Sequence, residues 1–337
     1  MYNKRKKGII NMRKQTLNAT QMELLKGILR TTQAGLKKTM EEYLISQYGE
    51  KNAIIEKEYI IALGTTPIGL VAHMDTVHTN QPVNIFFDEQ EEVMWSPQGL
   101  GADDRAGVFS ILEIIERGYR PTVILTTDEE VGGIGASAVA ADFDKAPVDL
   151  NFLIELDRQG SNDAVYYDCD NPLFEEYITR FGFVTDIGSF SDICFICPTW
   201  GIAGVNLSIG YFNEHSLGEH LRVKDMMCTI DRVCAILDSV TDCDIFDFIP
   251  LKTAYKWDLS SFSNLTAPSE TDEICWHCME MYDQTMIVRT ENGEETYCID
   301  CYDKIMDFCE LCGKEFKNYH KHEINQCPTC LSNKNMI

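Results

Sequence analysis

Two kinds of hydrophobic pattern alternate along the chain between residues 18 and 240, and this alternation limits the possible folds more than any other feature. Short apolar runs, typical of buried strands, are followed by stretches in which apolar residues recur every three or four positions, as on one face of a helix. Such alternation predicts an α/β fold with a mixed central β-sheet sandwiched by helices. Strands are predicted at residues 59–63, 68–72, 122–126, 150–155, 164–167 and 203–209, and a hairpin could form from 83–87 and 92–95. Helices are predicted at residues 18–48, 106–117, 135–142, 172–181 and 223–240.

Composition divides the 337 residues into five parts, which is enough chain for one large domain and a small appendage. Residues 1–17 form a basic, flexible tail, and residues 18–243 form the predicted catalytic domain. Residues 244–272 contain several serines and a proline and are interpreted as a linker. Residues 273–331 are rich in cysteine and predict a separate zinc-binding module, and residues 332–337 form a second tail.

The formal net charge of −24 creates a field that repels the phosphates of nucleic acids. No apolar run reaches the roughly 18–20 residues that a membrane-spanning helix needs. The basic start of the chain also lacks the apolar stretch of a secretory signal. We therefore expect a cytoplasmic protein that binds neither nucleic acid nor a membrane.

Five short polar segments lie at the ends of predicted strands or in the loops that follow them. Neighbouring strands of an open α/β sheet bring their carboxyl ends to one edge, so these segments are expected to converge there. Each segment alone is more often a solvated pair or a helix cap, but the ordered set favours a metal site. The segments are 73–75 (His-Met-Asp), 101–107 (Gly-Ala-Asp-Asp-Arg-Ala-Gly), 127–133 (Thr-Asp-Glu-Glu-Val-Gly-Gly), 155–157 (Glu-Leu-Asp) and 213–216 (Asn-Glu-His-Ser).

The residue types in these segments fit a pair of divalent cations. Two such ions close together require a bridging carboxylate and further nitrogen or oxygen ligands for each ion. Asp103 can bridge, His73 and Asp157 can complete one ion, and Glu130 and His215 can complete the other. Mixed imidazole and carboxylate ligands suit zinc, with manganese or cobalt as alternatives.

Two further residues have roles beside this predicted centre. Glu129 precedes the ligand Glu130 and is left free to act as the general base. Asp75 alternates with His73 along an extended segment, so both side chains can face the same way. A carboxylate there can accept the second N–H of the ligand imidazole and fix its tautomer.

The ordered segments resemble the motif series of the co-catalytic zinc exopeptidases, a clan of aminopeptidases, tripeptidases, carboxypeptidases and acylamino-acid hydrolases. The resemblance covers roughly residues 60–240, and the segment at 213–216 with the following Glu219 is similar to the closing histidine motif of the aminopeptidase branch. It implies an aminopeptidase that hydrolyses peptides and carries the ligand and base roles given above. Only 57 residues separate Asp157 from His215, which implies a form without the inserted lid domain.

Three other functions remain open on the sequence. A carboxypeptidase or an amidohydrolase of N-acyl amino acids would use the same metal centre, because only the substrate pocket distinguishes these enzymes. A catalytically inactive adaptor that binds proteins through its zinc module is the third. The intact ligand set with Glu129 argues against the adaptor, since a scaffold has no need of those residues.

Four Cys-x-x-Cys pairs lie within 56 residues near the C-terminus. Two such pairs close one tetrahedral zinc site, so the set predicts two structural zinc ions in a zinc-ribbon-like module. The pairs could be used sequentially or cross-braced, and the sequential order closes shorter loops. The module is acidic, which favours contact with a protein partner over nucleic acid. The predicted ligands are Cys275, Cys278, Cys298, Cys301, Cys309, Cys312, Cys327 and Cys330.

Overall fold

The computed structural model describes residues 17–142, 150–240 and 245–251, together with the backbone of six short strands between 273 and 317. The chain divides into two compact units, Met1–Thr253 and Ala254–Ile337.

The first unit contains twelve strands and seven helices among its described residues. The strands are β1 (Ala53–Ile55), β2 (Tyr59–Ala62), β3 (Thr66–His73), β4 (Phe86–Asp88), β5 (Val93–Trp95), β6 (Pro121–Thr126), β7 (Phe152–Arg158), β8 (Asp163–Val165), β9 (Val184–Asp186), β10 (Gly204–Ser208), β11 (Tyr211–Phe212) and β12 (His220–Arg222). The helices are α1 (Ala19–Leu29), α2 (Gln33–Tyr48), α3 (Ala102–Glu116), α4 (Ile134–Ala141), α5 (Pro172–Thr179), α6 (Ile193–Trp200) and α7 (Val223–Ser239).

Eight of these strands form one mixed sheet in the order β1-β2-β6-β3-β7-β10-β8-β9. Strand β3 runs parallel to both β6 and β7, and β10 runs parallel to β7. Antiparallel pairs join β1 to β2, β2 to β6 and β10 to β8. The central strand β6 is buried along its whole length, as expected for a strand that is covered on both faces.

Helices cover both faces of this sheet, so the predicted α/β sandwich is confirmed. Alternating residues of one strand supply the two cores, because successive side chains point to opposite faces. On β3, Leu70 packs into the larger core, which includes residues of α1, α2, α3, α5 and α7. Its neighbour Val71 packs into the smaller core, with residues of α4 and α6.

The prediction of one helix at 18–48 is wrong, because the structure has two helices in that range, α1 and α2. Chain direction changes at the turn between α1 and α2, where Thr32 adopts an extended conformation and its side chain accepts a hydrogen bond from the backbone N–H of Gly35. A threonine hydroxyl in that position caps a new helix and so replaces the partners that the first turn lacks.

A second, four-stranded sheet has the order β11-β12-β5-β4. Its β4–β5 pair is the predicted hairpin, shortened at the first strand to Phe86–Asp88. Strand β12 adds to the other edge of β5 and leads directly into α7, so the sheet lies across the start of that helix. No helix in the described part of the chain is both long and apolar enough to cross a membrane.

In the second unit the described backbone forms three antiparallel pairs. The eight cysteines predicted to bind structural zinc lie outside the described residues, as do residues 1–16 of the basic tail, residues 252–272 of the linker and the tail at 332–337. The pairs join the strands β13 (Glu273–Ile274) to β14 (Met281–Tyr282), β15 (Met286–Thr290) to β16 (Gly293–Tyr297), and β17 (Met306–Phe308) to β18 (Glu315–Lys317).

Helix α3 packs so closely on β7 that Gly107 leaves no room for a side chain. A Cβ there would lie 2.2 Å from the carbonyl oxygen of Leu156 and 2.4 Å from a carboxylate oxygen of Asp104. We expect Gly107→Ala to lower the free energy of unfolding by about 1–3 kcal/mol, because the backbone of β7 cannot yield cheaply. Chemical denaturation monitored by circular dichroism measures this change.

The matched control is Gly27→Ala in α1, where a Cβ would meet no atom within 4 Å. That exposed helical position should gain about 0.5–1 kcal/mol, since alanine loses less backbone entropy in a helix than glycine does. Equal effects at both glycines would contradict the close packing of α3 on β7.

Candidate metal centre

The three central parallel strands end at the same edge of the large sheet, and polar residues follow at each end. His73 is the last residue of β3 and pairs in register with Thr126, the last residue of β6. Glu129 and Glu130 come directly after β6, and Asp157 lies next to the end of β7. The sheet therefore brings three of the five predicted segments together.

The other two segments approach from the side. Asp103 lies at the beginning of α3, where the backbone is not yet helical and the Asp103–Asp104 peptide bond is cis. His215 lies in the loop after β11 and has a positive φ of 59°. Its side chain is about half exposed, at 54%, whereas the other candidate ligands are largely buried.

Asp103 lies between two imidazoles, one on each carboxylate oxygen. Its Oδ1 is 3.2 Å from His73 Nε2, and its Oδ2 is 3.2 Å from His215 Nε2. His73 Nε2 is also 3.5 Å from Asp157 Oδ1, and His215 Nε2 is 3.0 Å from Glu130 Oε2. The five predicted ligands therefore form two triads that share Asp103.

Each triad is compact enough to hold an ion. The ligand atoms of His73, Asp103 and Asp157 lie within 4.8 Å of one another, and so do those of Asp103, Glu130 and His215. A third triad of the same size combines His73 with Glu129 and Glu130. In that triad the Oε2 of Glu129 is 3.9 Å from His73 Nε2, farther than the oxygens of Asp103 and Asp157.

The electrostatics of the cluster show an excess of negative charge. Hydrogen bonds to Asp103 and Glu130 raise the pKa of His215 to about 11. Burial, reinforced by the nearby charge of Asp103, raises the pKa of Asp157 well above its ordinary value. Burial alone would raise the pKa of Asp103 as well, but its hydrogen bonds with His215 and His73 lower it overall.

This cluster fits a pair of divalent cations. Buried Glu130 Oε1 has no hydrogen-bond partner among the described residues. A buried carboxylate oxygen without a partner is costly, and a cation would satisfy it. Imidazole nitrogen with carboxylate oxygen is also the ligand chemistry of zinc, manganese and cobalt sites.

Asp75 contacts His73 as its predicted role requires and also holds the backbone after β6. Its Oδ1 lies 3.2 Å from His73 Nδ1 and accepts the N–H of Glu129 at 3.1 Å. Its Oδ2 accepts the N–H of Glu130, also at 3.1 Å. Although burial opposes the change, the hydrogen bonds with His73 lower the pKa of Asp75.

Glu129 is buried beside the two triads. Burial raises its pKa to about 7; the charge of His73 opposes the rise, whereas the charges of Asp192 and Glu130 add to it. A carboxylate with a raised pKa can hold a proton near neutral pH, which is what a general acid and base must do.

Several residues that support Asp157 were not predicted from the sequence. Tyr211 donates its hydroxyl proton to Asp157 Oδ1 at 3.1 Å, and Ser191 donates to Oδ2 at 3.4 Å. The backbone N–H of Asp157 donates to Asn206 Oδ1 at 2.9 Å. None of these three residues lies in the five polar segments, so the pattern that located the ligands could not locate them.

A cavity of about 420 Å³ adjoins the second triad. Glu130 and Asp128 supply carboxylates to its wall, and Gln33 from the start of α2 donates to Asp128 Oδ1 at 2.9 Å. Two cationic or potentially cationic groups, Arg105 and His78, also line the cavity.

Both of those groups have partners within the chain, although the buried Nε of Arg105 has none among the described residues. Arg105 donates from Nη1 to the carbonyl oxygens of Ile28 at 2.8 Å and Thr31 at 2.7 Å, which ties the end of α1 to the start of α3. His78 Nε2 lies 2.9 Å from Glu219 Oε2. The carboxylates therefore dominate what the cavity offers to a ligand.

No protein-family model matches the sequence, and neither does any curated protein. Solved structures are similar in fold. The aminopeptidase PepT of Bacillus cereus aligns with a TM-score of 0.50 and 14% identity, over 65% of this chain and 97% of that one. A tripeptidase of Staphylococcus aureus aligns with a TM-score of 0.49 and 12% identity, over 64% and 96% of the two chains. At such identities the likeness to PepT shows that the first unit has the fold of that aminopeptidase.

Proposed function

We propose that the chain is a metal-dependent peptide hydrolase, and specifically an aminopeptidase with a dinuclear centre. The observation that carries the proposal is the convergence of two imidazoles and two further carboxylates around Asp103, with Glu129 alongside. The convergence joins segments up to 142 residues apart, from His73 to His215. A scaffold that only binds proteins would have no use for it.

The two triads define which residues would hold the metals. His73, Asp103 and Asp157 would hold the first ion, and Asp103, Glu130 and His215 the second. When bound, the two cations, zinc in the first instance and manganese or cobalt as alternatives, would supply Lewis acidity that activates water and polarises the scissile carbonyl.

The residues of the chain would handle the protons. Glu129 would accept a proton at Oε2 from the attacking water and return it to the leaving amine. Asp75 would keep the His73 ring oriented through its contact with Nδ1. The same carboxylate holds the N–H groups of Glu129 and Glu130, so it would fix the base and a ligand together.

The cavity favours selection of a free N-terminus over a free C-terminus. A carboxypeptidase needs an accessible cation that binds the substrate carboxylate, but Arg105 is only 2% exposed and His78 is paired with the Glu219 carboxylate. An aminopeptidase needs acidic groups for the α-ammonium, and Asp128 beside Glu130 meets that need. Asp128 would therefore bind the substrate amine.

The test compares peptides that differ only at their ends. We expect metal-loaded protein to hydrolyse a peptide with a free N-terminus, to leave its N-acetylated form intact, and to tolerate a C-terminal amide. Asp128→Asn should reduce kcat/KM by about tenfold, because one charge-assisted contact to the amine is lost. Hydrolysis of the N-acetylated peptide together with rejection of the amide would point to a carboxypeptidase instead.

We also propose that the eight C-terminal cysteines hold two structural zinc ions and that their module contacts a protein partner. The support comes from the sequence, in the four Cys-x-x-Cys pairs. Cysteines that bind metal and do not pair as disulfides are typical of a reducing compartment, so we place the protein in the cytoplasm. The predicted linker at 244–272 would then separate this module from the catalytic domain predicted at 18–243 only beyond residue 251, because residues 245–251 hydrogen-bond to the rest of the first unit.

A further inference from the structure

The carboxylate of Glu219 is 1% exposed and accepts three hydrogen bonds. Its Oε1 accepts the N–H of Asp103 at 2.9 Å, and its Oε2 accepts the N–H of Gly101 at 2.7 Å. His78 Nε2 lies 2.9 Å from the same Oε2. Glu219 thus joins the end of the loop after β11 to the residues that begin α3.

Local backbone geometry makes room for this carboxylate. The N–H groups at the start of a helix have no partner within the helix, so a carboxylate is stabilised there. Gly101 precedes α3 with a φ of +68°, a conformation that glycine adopts readily. At Gly99 a Cβ would lie 2.3 Å from the His78 ring, so glycine is needed where His78 approaches Glu219.

The same short segment contacts Asp103 at two points. His215 approaches its side chain, with Nε2 3.2 Å from Oδ2, and Glu219 binds its backbone N–H. The orientation of the Asp103 carboxylate depends on where its backbone is held, because a short side chain has little reach. Fixing the backbone therefore fixes which oxygen faces His73 and which faces His215.

We propose that Glu219, oriented by His78, is a positioning residue that holds Asp103 so that one carboxylate oxygen faces each ion. This inference rests on the dinuclear centre proposed above and adds a residue to it. Glu219 is not a ligand in either triad. Its contribution is to metal affinity, through the placement of the shared ligand.

The alternative is that Glu219 merely stabilises the fold, and α3 offers a matched control. Glu113, on the same helix, is 5% exposed and accepts the Nε2 proton of Gln21 at 2.6 Å. It joins α3 to α1, lies ten residues after Asp103, and contacts no triad residue in the described hydrogen bonds. Glu113→Gln therefore reports the loss of a buried carboxylate without a change at the centre.

The test measures the affinity of the full-length protein for Mn²⁺ by titration calorimetry. Manganese prefers oxygen and nitrogen to thiolate, so the C-terminal cysteines contribute little. The two carboxylate oxygens of Glu219 accept the N–H groups of Gly101 and Asp103. In Glu219→Gln one of those oxygens becomes an NH₂ group, which cannot accept, so one of the two backbone N–H groups would face another donor. We expect Mn²⁺ to bind this variant about 10–100-fold more weakly, whereas Glu113→Gln should keep the wild-type affinity.

A second variant covers the case in which Glu219→Gln does not fold. His78→Phe keeps a planar ring but removes the group that orients Glu219, so Mn²⁺ should again bind more weakly than to wild type. Wild-type affinity in the folded variants, or equal losses in Glu219→Gln and Glu113→Gln, would overturn the inference. So would a wild-type protein that binds no Mn²⁺.

The proposed function fails on a different result. If the wild-type protein binds Mn²⁺ but cleaves no peptide with a free N-terminus, it is not an aminopeptidase. Weaker Mn²⁺ binding by Glu219→Gln would still support the positioning role in that case. Peptide turnover and Mn²⁺ affinity therefore need to be measured on the same preparations.

Discussion

Glu129→Gln is expected to remove most peptide turnover while leaving the metal in place. Glutamine has nearly the same shape but cannot take a proton from water, so the step assigned to Glu129 is lost. General acid and base catalysis contributes about 10²–10⁴-fold, and kcat should fall by that factor with KM little changed. Steady-state kinetics on metal-loaded protein, with metal content measured on the same sample, provides the check.

The metal measurement in this experiment matters because Glu129 also belongs to a triad of potential ligands with His73 and Glu130. A variant that loses an ion along with its activity would show Glu129 to be a ligand. Near-normal turnover would show that another group is the base. The neighbouring Glu130→Gln is the matched control, since it should lose metal and activity together.

The fold could be predicted where each strand carries its own signal. Central strands such as β6 and β7 are covered on both faces, so they occur in sequence as nearly continuous apolar runs. The edge strand β9 carries no such signal. All three residues of β9 are exposed, and its sequence Val-Thr-Asp contains only one apolar residue.

Two errors at helices have local physical causes. The apolar spacing at 18–48 continues across the turn at Thr32, so periodicity alone does not reveal that the helix ends and a new one is capped there. Helix α6 was not predicted, because its apolar run contains Pro198 and lacks the alternation between polar and apolar faces. Both cases depend on local features, a helix cap and a proline, that hydrophobic periodicity does not detect.

Three candidate ligands, His73, Glu130 and Asp157, could be named because the ends of neighbouring strands converge by topology. Asp103 and His215 lie at a helix start and in a loop, and are named from the order of the polar segments along the chain.

The contacts around these ligands could not be predicted. Gln33 bonds Asp128 across 95 positions, and Glu219 bonds the N–H of Asp103 across 116. Neither hydrophobic periodicity nor residue spacing predicts such a pair. Each pair joins a loop residue to the start of a helix that is distant in sequence, and the two meet only in the folded chain.

Asp103→Ala is expected to remove both catalytic ions from the protein. The two carboxylate oxygens of Asp103 face different imidazoles, His73 and His215, each at 3.2 Å. Losing a shared ligand weakens both triads, whereas losing any other ligand weakens one. Elemental analysis of the full-length protein should fall from about four ions to about two, the two that remain being held by cysteine.

Asp157→Asn is the control that separates a bridging ligand from an ordinary one. Asp157 belongs only to the triad with His73 and Asp103, so its variant should lose about one ion and keep the other. Asp157→Asn should fold, because burial and the nearby charge of Asp103 raise the pKa of Asp157, so the ionised carboxylate is unfavourable there. Circular dichroism should confirm that Asp103→Ala also folds before its metal content is compared. If Asp103→Ala loses no more metal than Asp157→Asn, the two ions do not share Asp103, and the centre consists of two independent sites.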